Sequence, residues 1–383
     1  MFAKQTLTSA SLIGMLLGLV APPALADGEL EPDARAVGEA APDDATTTLP
    51  DGAPVHVVVP GPPAVKRPPT GRFAIGAGYR TDDGFVASAE VAQDDLFGTG
   101  NALSLSTTIS ERRQLFLTRF VDPDLLGSQL RLTADVYNNV RQLPGFWRQA
   151  SGGAVELSAP LEKHLRAFVG YRLELVTTSE DNPFTLSSSE RRVARENEVL
   201  IGSVRGGLVY DSRDALYAPR HGTHYGVAVE VADPSLGADI RLRKLDVWAD
   251  HHRPLGPLTL HVGGRLSSIS SSDALGIPPS ERLYLDGSSE LRGLKPGALS
   301  PLGGEHKATG RAELEVPLIP KYGLSLVGFI DAAAITDGSV TETGASVGAG
   351  LLWRSPIGPL RLDYAVPLDG GKPSWVLGVG GAF

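Results

Sequence analysis

From Arg72 to the C-terminal Phe383, polar and apolar residues alternate with period two. In Glu305 to Val316 the series Glu305, Lys307, Thr309, Arg311, Glu313 and Glu315 interleaves with His306, Ala308, Gly310, Ala312, Leu314 and Val316. Successive side chains of a strand point to opposite faces, so this pattern predicts a strand between water and something oily. The alternation returns in Gln129 to Val140, where Leu130, Leu132, Ala134 and Val136 oppose Arg131, Thr133, Asp135 and Tyr137. It recurs in Leu165 to Val176, in Pro257 to Leu266 and in Gly358 to Val366. Such segments number about sixteen between turn clusters, the even count expected of a bacterial outer-membrane barrel. The predicted fold is all-β: a 16-stranded antiparallel transmembrane β-barrel from Gly71 to Phe383, its polar face lining the lumen and its apolar face meeting lipid.

A soluble sandwich would also alternate. Here Arg and Glu lie opposite Leu and Val, 45 glycines are spread through the chain, and no dense aromatic core is evident. Beyond the N-terminus no apolar run approaches the roughly 20 residues of a membrane helix. Residues 1–26 have the form of a secretory signal peptide: Lys4, an apolar core from Leu12 to Val20, and Ala24-Leu25-Ala26 as the cleavage site. Residues 27–70 are rich in Pro, Ala and Asp and lack periodicity, so they are expected to form an extended, disordered periplasmic tail. Within that tail, Val55 to Val59 is the one patch able to pair as a strand. The chain has no cysteine, which removes disulfides, lipidated N-termini and thiolate metal sites. Its net charge of -9, without a basic run, argues against nucleic acid as a partner.

Several segments together resemble the barrel of the BamA/TamA family, of the bacterial surface antigen type. They are Gly78-Tyr79 with Asp94-Asp95-Leu96-Phe97-Gly98-Thr99-Gly100-Asn101; Phe120-Val121-Asp122-Pro123-Asp124-Leu125-Leu126-Gly127; and Tyr210-Asp211-Ser212-Arg213-Asp214 with Pro219 and Gly222. Ser289-Glu290-Leu291-Arg292-Gly293-Leu294, Leu302-Gly303-Gly304, Phe329-Ile330-Asp331-Ala332 and Ser355 to Ala365 complete the series in the family's order. The resemblance implies an outer-membrane barrel that inserts or translocates polypeptides. Its surroundings would be outer-membrane lipids and lipopolysaccharide. Its clients would be outer-membrane or secreted chains, and no cofactor is implied. Family insertases carry periplasmic POTRA modules before the barrel, and Asp27 to Thr70 is too short for one, so a separate periplasmic subunit would supply them. The alternative is a passive pore or structural surface antigen.

The resemblance also implies a loop inserted into the lumen after about the eleventh strand, at Leu283 to Pro301. A loop of that length is unusual unless functional or packed. Arg292 can bind carboxylates in bidentate fashion. The candidate acceptors are Glu313 and Glu315 on the next strand and Asp331 on the one after, with Gly293 beside the arginine. By resemblance Glu313 and Asp331 receive it, although Ala332-Ala333 stands where the family has glycine. The barrel seam would join Arg72–Arg80 to Ser374–Phe383, with Gly76, Gly78, Gly378 and Gly380 weakening both edges and Phe383 closing a C-terminal targeting signal. Other constellations carry no chemistry. His221, His224 and His251-His252 lie in turn-like or alternating segments without convergent carboxylates, so no metal site is expected. Ser267 to Ser272 reads as a polar loop, because no strained nucleophile turn is present. The expectation is therefore no enzyme.

Overall fold

The computed structural model describes residues 71–379 except 81–83, 181–197, 216–217, 286, 288–289, 296 and 356–357. The expected signal peptide (1–26), the tail (27–70) and the terminal Gly380 and Phe383 lie outside the described residues. The strands are β1 (Gly71–Arg80), β2 (Gly84–Gln93), β3 (Ala102–Ser110), β4 (Arg113–Asp122), β5 (Arg131–Leu143), β6 (Phe146–Glu162), β7 (Leu165–Glu180) and β8 (Glu198–Asp211). They continue as β9 (Gly222–Ala232), β10 (Leu242–Leu255), β11 (Leu258–Ser271), β12 (His306–Ile319), β13 (Leu324–Asp337), β14 (Val340–Ser355), β15 (Gly358–Pro367) and β16 (Ser374–Val379). All belong to one antiparallel sheet in sequence order. The sheet curls until β16 lies beside β1, giving a nearly closed barrel.

The period-two pattern sorts the two faces as expected. On β5, Val136 is 67% exposed, pointing to lipid, whereas its neighbours Asp135 and Tyr137 are buried inside the barrel. On β7, Val169, Tyr171, Leu173 and Leu175 face out while Arg172 and Glu174 face in. A charge moved to the outer face would cost about 2–4 kcal/mol at the bilayer midplane, which fixes the register of every strand.

Two expectations need correction. Of the polar loop expected at Ser267 to Ser272, all but Ser272 is strand: β11 continues to Ser271, because Ser267 and Ile269 keep the inward parity of His261 and Arg265. Ser267 Oγ donates to Asp246 Oδ1 at 2.6 Å, and Ile269 is buried. The lumen is also not polar throughout. Inward-facing Ala150, Val176, Val199, Ile201, Ala232, Leu242 and Ile269 form an apolar cluster with Ile277 of the following connection. That connection, residues 272–305, is the longest described. Such barrels have short periplasmic turns and longer extracellular loops, so this end faces outward.

At the opposite end two turns repeat one design. In Asp95–Thr99 and Asp124–Ser128 the third residue, Phe97 or Leu126, adopts φ 56° and is almost fully exposed. Leu96 N–H donates to the Asn101 carbonyl at 2.7 Å and Leu125 N–H to the Leu130 carbonyl at 2.8 Å, closing each turn. Thr99 Oγ1 and Ser128 Oγ donate to the carbonyls of Leu96 and Leu125, at 2.6 and 2.5 Å. These bonds hold a left-handed conformation that costs a non-glycine residue roughly 1–2 kcal/mol.

Candidate functional site

The connection between β11 and β12 folds back into the barrel and packs on its inner wall. Leu285, Leu291 and Leu299 bury themselves against Ala333 and Ile335 of β13, and Leu294 covers them. Ala333, where the resemblance expects glycine, thus forms part of the floor under the loop. Gly293 is at φ 89°, and a Cβ there would lie 3.1 Å from Ala365 Cβ on β15. A residue without a side chain is needed to make this turn against the wall.

The turn delivers Arg292, 3% exposed, to a cage of carboxylates. Nε and Nη2 donate to Asp331 Oδ2 and Oδ1, both at 2.6 Å, a bidentate pair. Nη1 donates to Asp363 Oδ2 at 2.9 Å and lies 2.7 Å from Glu313 Oε1. The guanidinium also rests on the ring of Phe329, 3.4 Å from its centroid. Burial works against a charged Arg292, but Asp331 and Glu313 outweigh it and push its pKa above the ordinary arginine value. Two wall arginines complete the cage. Arg311 Nε donates to Asp331 Oδ1 at 3.0 Å, while Arg361 reaches Glu313 Oε1 and Asp363 Oδ2, each at 2.8 Å. Three guanidiniums therefore face three carboxylates, a neutral set that can remain buried because each charge has a partner.

Of the residues proposed from sequence, Glu313, Asp331, Arg292 and Gly293 come together here. Glu315 does not join them. It pairs with Arg354 of β14 and accepts from Ser325 Oγ at 2.6 Å, two residues farther toward the periplasmic end of β12. Sequence reasoning missed Asp363 and Arg361. Their signal was the alternation Leu360-Arg361-Leu362-Asp363-Tyr364, which puts both charges on the inward face of β15. Of the four histidines weighed from sequence, His224 differs from expectation, because it shares a carboxylate with His261, a residue that sequence reasoning did not single out. Asp250 Oδ1 is 3.1 Å from His261 Nε2, and Asp250 Oδ2 is 3.9 Å from His224 Nδ1. His261 Nδ1 then lies 3.5 Å from Glu313, so this group extends the cage toward the periplasm. No metal-type cluster of such residues occurs among the described residues.

The seam is built differently. Among the described residues no ladder joins β1 to β16, although the two strands are neighbours. On β16 the pairing with β15 runs only from Leu360↔Val379 to Ala365↔Ser374. On the other side β1 pairs with β2 along its full length, Gly71↔Gln93 to Arg80↔Gly84. Gly76 and Gly78 lie in β1, opposite Ser88 and Val86 of β2, and Gly378 lies in β16, opposite Arg361 of β15. The part of the seam proposed at Gly380 and Phe383 lies outside the described residues.

Comparisons with known proteins agree with this architecture. The Omp85 superfamily domain matches residues 95–375. The outer membrane protein assembly factor BamA of Nitratidesulfovibrio vulgaris is 28% identical over 325 residues, covering 80% of this chain and 40% of its own length. This chain therefore spans about two fifths of that relative. Among solved structures, BamA from Haemophilus ducreyi lacking POTRA domains 1-3 superposes with a TM-score of 0.72 at 18% identity, covering 83% of this chain and 71% of that one. CdiB from Escherichia coli superposes with a TM-score of 0.58 at 16% identity, covering 85% and 67%. With the barrel, its charged lumen loop and a domain match over most of its length in place, the chain is a bacterial outer-membrane β-barrel and belongs to the Omp85 superfamily.

Proposed function

We propose that this barrel handles polypeptides at the outer membrane, assembling other barrels into it or passing a partner chain across it. The observation that carries the reading is the seam: among the described residues, β1 and β16 lie side by side without a ladder in an otherwise continuous sheet. An unpaired edge offers main-chain donors and acceptors to an incoming strand, which can add to the sheet by β-augmentation. The Arg292 cage supports the same reading from the other side. By fastening the loop to β12, β13 and β15, it keeps the wall next to the seam rigid while β16 is held by a short ladder. The lumen loop and the apolar cluster around Ile277 pack on the inner wall at the outward end, which favours a plugged barrel over a passive pore. In this reading the mature chain begins near Asp27, residues 27–70 reach into the periplasm to recruit a separate subunit, and 71–383 form the barrel. The surrounding partners are membrane lipids and lipopolysaccharide, and no catalytic step is assigned.

The experiment is a reversible lock. Gly76→Cys is combined in turn with Trp375→Cys, Val376→Cys, Leu377→Cys or Gly378→Cys, a clean design because the chain has no cysteine. The full chain is reconstituted in liposomes and supplied with an unfolded client barrel. The proposal expects the pair that oxidises efficiently to lose client insertion and to regain it on reduction. Insertion at an undiminished rate by the oxidised protein would overturn it.

A further inference from the structure

The lumen loop meets the wall a second time, and there the charges are reversed. Before the Arg292 turn, the chain makes a 3-10 turn at Pro279–Glu281 that buries Ser280 and Glu281. Glu281 Oε1 accepts from Arg148 Nη2 of β6 at 2.8 Å, and Oε2 accepts from Lys244 Nζ of β10 at 2.6 Å. Arg148 Nε also donates to the Ser280 carbonyl at 2.9 Å, so one wall arginine holds both side chain and backbone of the loop. Behind this contact, Arg148 reaches Glu174 Oε1 at 3.2 Å and Arg172 Nη1 reaches the same atom at 2.6 Å. Tyr137 donates to Glu174 Oε2 at 2.6 Å, and Arg172 pairs with Glu230 of β9.

The charge arithmetic of the two contacts is complementary. Around Glu281, the cations Arg148, Arg172 and Lys244 face the carboxylates Glu174, Glu230 and Glu281. Without the loop that wall holds three cations and two anions. Around Arg292, the wall alone holds Arg311 and Arg361 against Glu313, Asp331 and Asp363, two cations and three anions, and the His261–Asp250 pair beside Glu313 adds one ionisable group of each sign. Each wall is one charge short, in opposite senses, and the loop supplies one carboxylate to the first and one guanidinium to the second. Burying an unbalanced charge is costly, so each wall selects its own end of the loop. Burial works against a charged Glu281, yet Lys244 and Arg148 hold its carboxyl well below the usual carboxylate range.

We infer that Glu281 is a second, independent positioning residue of the lumen loop, seating its first arm on β6 and β10 as Arg292 seats its second arm on β12, β13 and β15. The loop is then a polar strut across the lumen, fixed in direction by its two most deeply buried charges, while Arg282 with Asp337 and Glu290 with Lys307 add more exposed pairs. Neither anchor alone holds both arms. The inference goes beyond the proposed function, because it concerns how the loop is held and not what the seam admits.

The test measures the two arms separately in the full chain in bilayers. Nitroxide labels are placed on Leu275→Cys for the first arm or Lys295→Cys for the second, each paired with Val340→Cys at the outward start of β14. All three positions are solvent-exposed. Glu281→Gln is expected to raise the displaced population of the 275–340 pair about tenfold, as loss of hydrogen bonds to a charged group predicts, while the 295–340 distance stays as in the parent. Glu281→Asp keeps the charge and is expected to retain most of the narrow distance distribution. Arg292→Gln is expected to move the 295–340 pair first. Lys244→Met removes the partner from the wall side and should reproduce the Glu281→Gln signature, so the test survives if Glu281→Gln fails to fold. An unchanged 275–340 distance in Glu281→Gln or Lys244→Met would overturn the inference. So would both arms moving together.

Discussion

The wall that carries the lumen loop and the seam lie close together on the same sheet, yet they are built on opposite principles. Strands β12 and β13 pair from His306↔Thr336 to Ile319↔Leu324, and on their inner face Arg292 locks the loop to Asp331 and Glu313. One strand beyond Asp363, β16 is held to β15 by a short ladder and to β1 by none among the described residues. The cage therefore stops at the last strand before the seam. A barrel whose stiffness is concentrated in this way can let one edge go without unfolding, because the charges that hold the loop do not depend on the seam. On the proposed reading, position in the sheet, and not composition alone, decides which strands can open.

The comparison can be broken most forcefully at the cage. Arg292→Ala leaves Glu313, Asp331 and Asp363 facing two arginines, and breaking a buried ion pair of this kind costs about 3–5 kcal/mol. The midpoint of denaturant unfolding in detergent or bilayer should fall accordingly, and Arg292→Lys should recover less than half of the loss because it cannot make the bidentate pair. Next in size is Glu313→Gln, which removes one carboxylate shared by Arg292 and Arg361 and should cost about 1.5–3 kcal/mol in the same assay. Glu315→Gln tests whether the stiffness is local. Its partner Arg354 is partly solvent-accessible, so the expected loss is about 1 kcal/mol or less, with no change in loop position by distance measurement. The smallest effect should be a gain. Phe97→Gly, at φ 56° in the turn between β2 and β3, relieves a left-handed backbone and should stabilise by up to about 1 kcal/mol without altering the cage.

Most of the architecture was legible in the alternation itself. A membrane strand has few other options, since charge must face the lumen and apolar side chains the lipid, so the parity of Glu313, Asp331 and Arg172 followed from spacing alone. Arg292 was legible because a long loop carrying a forked cation needs partners. Four things were not. Glu315 shares the inward parity of Glu313, and parity cannot say that Arg354 sits nearer to it than Arg292 does. Asp363 and Arg361 required knowing that the loop turn at Gly293 presses on β15, which is a matter of tertiary packing. The serine run Ser267 to Ser272 reads as a polar loop once no nucleophile turn is found in it, but a strand face lining a charged lumen accepts hydroxyls as readily as a loop does, and β11 runs through to Ser271. The convergence of His224 and His261 on Asp250 likewise depends on the cross-strand register of the consecutive strands β9, β10 and β11, which alternation alone does not set.

Residue-resolved amide hydrogen exchange of the barrel in lipid bilayers sets the two regions side by side on one scale. Exchange reports the free energy of local opening, so amides on the seam-facing edges of β1 and β16 should exchange at least about a hundredfold faster than paired amides of β12 and β13 under the loop. Equal protection of the seam edges and the β12–β13 ladder would mean that the barrel is closed as firmly at β1 and β16 as anywhere else, and would contradict the account.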